Sequence, residues 1–213
     1  STIDLRGNSA NVSGQVSAAG RGYAASNGPG AKGGCGTNIG AGGGSHAGAG
    51  LGCNAGLTDG SDVYGLPTRP WTYGSGGTTQ SAYGQTGGAG GGRVRLSVEG
   101  VLNLTGSIDV QGTNGAGNSS SYGAGGGAGG SVQVFAAEVT GTGLITADGG
   151  NGAIINGGGG GGGRIAVYAQ PSLPITTYAR GGCGGASSGC SSTHAGAGTI
   201  NNGGSCTITV SNK

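Results

Sequence analysis

One phrase recurs four times in this chain: Gly91-Gly92-Arg93-Val94-Arg95-Leu96-Ser97-Val98, Gly129-Gly130-Ser131-Val132-Gln133-Val134-Phe135-Ala136, Gly162-Gly163-Arg164-Ile165-Ala166-Val167-Tyr168-Ala169 and Gly203-Gly204-Ser205-Cys206-Thr207-Ile208-Thr209-Val210. Each is a glycine pair followed by a short run that alternates apolar and polar residues. Period two puts Val94, Leu96 and Val98 on one face of a strand and Arg93, Arg95 and Ser97 on the other. The phrases start 38, 33 and 41 residues apart, and repetition at such intervals marks a solenoid or array. Stacked in register, their inward residues form the ladders Val94/Val132/Ile165/Cys206 and Leu96/Val134/Val167/Ile208.

A second phrase follows inside each repeat. Gly106-Ser107-Ile108-Asp109-Val110-Gln111-Gly112 matches Gly143-Leu144-Ile145-Thr146-Ala147-Asp148-Gly149, and Gly14-Gln15-Val16-Ser17-Ala18-Ala19-Gly20 fits the same template, with Thr2-Ile3-Asp4-Leu5 as its opening strand. The expected fold is all-β: a parallel β-solenoid of about four irregular coils, period about 33–41, with essentially no helix. Residues 1–213 form one domain, with first-coil strands over 1–20 and a glycine- and aromatic-rich insertion over 21–90. Repeated coils occupy 91–203 and a terminal strand 204–213.

Composition agrees. Glycine supplies 60 of 213 residues, charged residues 8%, and the formal net charge is +2. Glycine at this density disfavours helix by about 1 kcal/mol per position, and the apolar residues sit in the strand phrases, not scattered through the chain. Near-neutral charge without a basic cluster excludes nucleic acid as a partner, and no apolar run approaches the ~20 residues of a membrane span. Residue 1 already opens a strand, as in a processed mature chain or a fragment of a longer one.

Five cysteines in a chain with so little core point to an oxidising, extracellular or cell-surface setting. Cys35 with Cys53 and Cys183 with Cys190 read as disulfides. The competing pairing is Cys183 with Cys206, which leaves Cys190 for an intermolecular bond; otherwise Cys206 is a buried free thiol. Asn11-Val12-Ser13, Asn103-Leu104-Thr105 and Asn118-Ser119-Ser120 are glycosylation acceptor triplets, so attached glycans count among the expected partners. Asn11 and Asn103 hold equivalent places in two coils.

Ala31-Lys32-Gly33-Gly34-Cys35-Gly36 and His46-Ala47-Gly48-Ala49-Gly50 recur 148 residues later as Ala179-Arg180-Gly181-Gly182-Cys183-Gly184 and His194-Ala195-Gly196-Ala197-Gly198. Without Cβ atoms such arms can run as polyproline-II-like strands that pack closely and exchange backbone hydrogen bonds. The loops 21–60, 112–130, 149–163 and 180–204 are expected to form layers of this kind beside the strands, covering the outward Phe135 and Tyr168. The stretches 158–169 (Gly-Gly-Gly-Gly-Gly-Gly-Arg-Ile-Ala-Val-Tyr-Ala) and 141–152 resemble glycine-rich β-solenoid repeats of extracellular and cell-surface proteins of microbes and algae. The glycine arms resemble the polyglycine-II bundles of springtail antifreeze proteins and of phage fibre-tip adhesins. Neither resemblance implies a catalytic residue.

The residues that could carry chemistry are sparse. Catalysis on a β-helix needs clustered carboxylates, and the seven acids do not stack: Asp109 aligns with Thr146, and Asp148 with Gln111. The chain reads as a non-enzyme with no cofactor. His46 and His194 with Cys35 and Cys183 lack a zinc-finger spacing. An ice-binding face needs a flat threonine array, and only Thr207-Ile208-Thr209 has the spacing. What remains is architecture. Strand phrases lie at both ends with no capping helix, and uncapped edges template pairing. The expectation is a structural protomer of an extracellular filament or surface appendage, its partner being itself. Head-to-tail polymerisation would use Ile3 and Leu5 at one end and Cys206, Ile208 and Val210 at the other. The alternative is an adhesin or carbohydrate- or surface-binding module whose ligand contacts are Tyr64, Trp71, Tyr73 and Tyr83.

Overall fold

The computed structural model describes residues 1–31, 35–56, 62–118, 121–170, 175–186 and 189–203. These contain fourteen strands, two single-turn 3₁₀ helices (Cys53–Ala55 and Ser81–Tyr83) and no α-helix. The strands are β1 (Thr2–Gly7), β2 (Ala10–Val12), β3 (Gln15–Ser17), β4 (Arg93–Val98), β5 (Val101–Leu104), β6 (Ser107–Asp109) and β7 (Ser131–Phe135). They continue with β8 (Glu138–Thr140), β9 (Leu144–Thr146), β10 (Arg164–Tyr168), β11 (Thr176–Tyr178), β12 (Cys183–Ala186), β13 (Gly189–His194) and β14 (Thr199–Gly203).

All but β12 and β13 belong to three parallel sheets, which the chain visits in turn. The first sheet runs β1-β4-β7-β10-β14, the second β2-β5-β8 and the third β3-β6-β9-β11. Each pass adds one tier. β1, β2 and β3 are the first tier, β4, β5 and β6 the second, β7, β8 and β9 the third. β10 and β11 belong to the fourth, and β14 stands at the fifth. Register is kept throughout: Ile3 lies opposite Val94, Val94 opposite Val132, Val132 opposite Ile165 and Ile165 opposite Ile200. The inward columns make the core. Val94, Leu96, Leu102, Leu104, Ile108, Val132, Val134, Ile145 and Ile165 are all 0 or 1% exposed, and they come from all three sheets.

The glycine ahead of each first-sheet strand has a packing reason. Gly92, Gly130, Gly163 and Gly198 donate their N–H groups to Ala18, Val110, Ala147 and Ala179, the residues that directly follow the third-sheet strands. They also stack tier upon tier: a Cβ at Gly163 would collide with the Gly130 carbonyl, and one at Gly198 with that of Gly163. This series identifies the fifth strand. The ladders end on Ile200 and Asn202 where the sequence suggested Cys206 and Ile208, because Gly198-Thr199-Ile200 supplies the glycine step and the inward isoleucine. Cys206, Ile208 and Val210 lie outside the described residues.

The glycine-rich returns form a second body beside the strands, held by backbone hydrogen bonds. Along residues 123–130, Gly123, Gly126 and Gly129 donate to Ile155, Gly158 and Gly161; Ala124, Gly127 and Gly130 donate to Ala116, Thr113 and Val110; Gly125 and Ala128 donate to Thr78 and Ser75. Every third N–H thus reaches the same neighbour, the spacing of a helix with three residues per turn. Three further segments donate into this one, from Ala41 and Gly44, from Gly88 and Gly91, and from Gly150 and Ala153. Surrounded by six others, the segment has no room for a Cβ at any of its six glycines; only Ala124 and Ala128 carry a side chain there, each a single buried methyl. The arm at 180–204 departs from this pattern. Part of it forms the antiparallel hairpin β12–β13, with Cys183 opposite His194, and part forms β14.

The insertion is ordered by more than glycine packing. Residues 62–73 cross the outer face of the first sheet as a strap. Outward side chains of that sheet donate to strap carbonyls: Arg93 to Trp71, Ser131 to Thr72, Arg164 to Tyr64 and the Tyr168 hydroxyl to Thr68. A segment whose prolines, Pro67 and Pro70, lack N–H groups is therefore held by its acceptors. Phe135 and Tyr168 stack at 5.1 Å, and the strap reaches Tyr168 through Thr68 where glycine layers were expected.

Candidate functional site

The feature that calls for a function is where the inward columns stop. Leu96 is 1% exposed; Leu5, one tier away in the same column, is 47% exposed. Ile3, Ala10, Val12 and Val16 are only half-buried, whereas Val94, Leu102, Leu104 and Ile108 beside them are 0 or 1% exposed. All three first-tier strands are edges, and a notch of about 140 Å³ opens between Leu5, Ala10, Val12, Leu96 and Val98. At the opposite end Ile200 is 44% exposed where its neighbour Ile165 is 0%, and Tyr178 on the third-sheet edge is 39% exposed. Among the described residues both ends present edge strands with no further strand beside them and apolar residues that are only partly covered. Such an edge is a template for another strand.

The remaining candidate residues fall elsewhere. Cys35 is joined to Cys53 and Cys183 to Cys190. Asn11 and Asn103 lie opposite each other in the second sheet. Asn11 is exposed; Asn103 donates to its Oδ1 and accepts from the Thr140 hydroxyl. Asn118 is exposed and its Oδ1 accepts from Ser121, while Ser119 and Ser120 are outside the described residues. Tyr64, Trp71 and Tyr73 belong to the strap and face inward on it. The Arg93 guanidinium lies 4.4 Å from the ring centroids of both Trp71 and Tyr73, and Arg95 lies 5.2 Å from Trp71. The Tyr64 hydroxyl donates to the Tyr73 carbonyl and meets Ser75, and its pKa is pushed up to about 12 by burial. Tyr83 is remote from these, against Tyr122 at 5.9 Å with its hydroxyl on Asn38.

His46, which the sequence offered only as part of a set without zinc-finger spacing, is a buried titratable group. It is 0% exposed. Nδ1 donates to the Gly129 carbonyl at 2.7 Å, so Nε2 accepts from the Thr72 hydroxyl, also at 2.7 Å. It thereby joins the glycine body to the strap, with the Tyr64 ring 4.9 Å away. Burial brings its pKa from 6.5 down to about 4; the Gly129 carbonyl opposes that and the Arg164 charge adds to it. The neutral ring is the native form, so this contribution is complete above pH 6.5 and is lost as pH falls towards 4, where the unfolded chain binds the proton first. At about 1.4 kcal/mol per pH unit, wild-type protein is expected to lose about 3 kcal/mol over that interval relative to His46→Gln. Urea unfolding of both between pH 7 and 4 measures the difference, and parallel pH profiles would refute the assignment.

Among the described residues no three of His, Cys, Asp and Glu converge as a metal site, and no helix is long and apolar enough to cross a membrane. Comparison with protein-family models, with curated proteins and with solved structures gives no match. The functional reading therefore rests on geometry.

Proposed function

We propose that the chain is the protomer of an extracellular filament: a β-solenoid with a polyproline-II-like glycine bundle alongside, which polymerises head to tail through its two open ends. The observation that carries this reading is the break in burial along single columns, from Leu96 to Leu5 at one end and from Ile165 to Ile200 at the other. A further tier would restore the burial at each end. Because the two ends differ, their contact is heterologous; it does not close and it propagates as a fibre. The two disulfides support a secreted setting. The aromatic segment supports the adhesin reading less, since Trp71 and Tyr73 are engaged by Arg93.

Negative-stain microscopy of purified protein and of the variants Leu5→Lys and Ile200→Lys, one at each end and 47% and 44% exposed in the wild-type subunit, tests this. Wild-type protein is expected as long uniform fibres and both variants as discrete particles, with unchanged thermal unfolding, because the lysines sit on edges that the isolated subunit leaves exposed. Monodisperse wild-type particles, or fibres that survive both substitutions, would refute the proposal.

A further inference from the structure

The filament reading leaves open which strands meet, and the inference below rests on that reading. We propose that the joint is one more parallel pairing of the first sheet, β14 of one copy against β1 of the next, with Thr199 opposite Thr2, Ile200 opposite Ile3, Asn201 opposite Asp4 and Asn202 opposite Leu5.

The columns set this register. All four pairings within the sheet are parallel and keep each residue in one column. Continuing the same step places the 44% exposed Ile200 on the half-buried Ile3, so the joint rejoins the isoleucine and valine column that both ends interrupt. The outward column agrees. Arg93 donates to the Thr2 hydroxyl at 2.7 Å from the second tier, and Arg164 donates to the Thr199 hydroxyl at 3.1 Å from the fourth. Two edge threonines, each held by an arginine of its own copy, come face to face, and Thr–Thr is a favourable cross-strand pair. The next position sets the Asn201 amide against the Asp4 carboxylate, where the slip by one residue would turn every inward side chain outward.

A two-fold contact between like ends fits less well. It can lay β1 antiparallel to a second β1, but it reverses the direction in which the chain circles, so the second sheet of one copy meets the third sheet of the other. Translation alone superposes all three. Among the described residues the third sheet ends at β11 and the second at β8, below the tier of β14, so the first sheet carries the pairing.

Disulfide trapping tests the register under fibre-forming conditions, in a Cys206→Ser background that removes the odd thiol. Parallel neighbours sit about 4.8 Å apart, within the ~4.4–6.8 Å that a disulfide spans. Thr2→Cys combined with Thr199→Cys is expected to give a covalent ladder of dimers, trimers and higher species on non-reducing gels, at least tenfold above Thr2→Cys combined with Asn201→Cys. Fibres in which neither pair cross-links, or in which the second pair cross-links better, would overturn the register and leave the filament standing. Dimers alone from either pair would mean a closed two-fold contact and overturn both, as would protein that forms no fibres before any substitution.

Discussion

Gly127→Ala is expected to unfold the chain or cost it at least about 3 kcal/mol, at the upper end of what overpacking does. Gly127 lies in the segment that six others surround, and a Cβ there would fall far inside contact with the carbonyl of Ala89 and the amide of Gly90. These are backbone atoms, fixed by their own hydrogen bonds: Gly90 donates to Tyr23, and the Ala89 carbonyl accepts from Thr113. They cannot turn aside as a side chain would. The loss therefore spreads through the lattice and is not absorbed at one contact. Gly14→Ala is the control, since nothing lies within 4 Å of a Cβ at Gly14; removing a glycine from an accommodating position is worth about 0.4–1 kcal/mol in favour of the fold. Thermal and denaturant unfolding of the two variants should give effects of opposite sign. Equal effects would mean that close backbone approach does not hold the glycine body together.

The second large effect compares one substitution at two heights of one column. Leu96→Ala removes a side chain that is 1% exposed and enclosed by tiers on both sides, and is expected to cost about 2–5 kcal/mol. Leu5→Ala, its neighbour in register, removes one that is 47% exposed and should cost the isolated subunit about 1 kcal/mol or less. In assembled material the order changes meaning, because β14 of the neighbouring copy then covers Leu5 on the side that the isolated subunit leaves open. Leu5→Ala should then raise the protein concentration needed for fibres severalfold while leaving subunit unfolding nearly unchanged. A large loss of subunit stability from Leu5→Ala would show that the first tier is already covered in the free protein.

The columns at tiers two to four were legible because Val, Leu and Ile alternate there with polar residues directly after a glycine pair. The opening strand shows the same alternation, Ile3 and Leu5 against Thr2 and Asp4, without a glycine pair ahead of it. The fifth strand was misplaced for a physical reason: Thr199–Gly203 has one inward apolar residue, Ile200, and an alanine before its glycine, whereas residues 203–210 imitate the phrase more closely. The second sheet, β2, β5 and β8, was not read as strands: each is only three or four residues long, and in β8 Val139 is the one buried residue. The strap could not be read at all. Its carbonyls are satisfied by Arg93, Ser131 and Arg164, outward positions that look in sequence like a solvated face. The one available signal was that arginine follows the glycine pair twice, at Arg93 and Arg164, in a chain with few charges. The role of His46 was hidden likewise, because Thr72 and Gly129 are remote in sequence. The open ends were legible as positions, through Ile3 and Leu5, but only the contrast between neighbouring tiers shows them to be uncovered.

The axial geometry of the fibre tests the central claim most directly. A subunit whose first sheet holds the five strands found among the described residues, stacked about 4.8 Å apart and joined without a gap, advances the fibre by about 24 Å per copy. Helical reconstruction or fibre diffraction of the native material should therefore return a subunit rise of about 24 Å together with a 4.8 Å spacing along the fibre axis. A 4.8 Å spacing across the axis, or a rise that is not close to five strand spacings, would contradict head-to-tail stacking of the sheets.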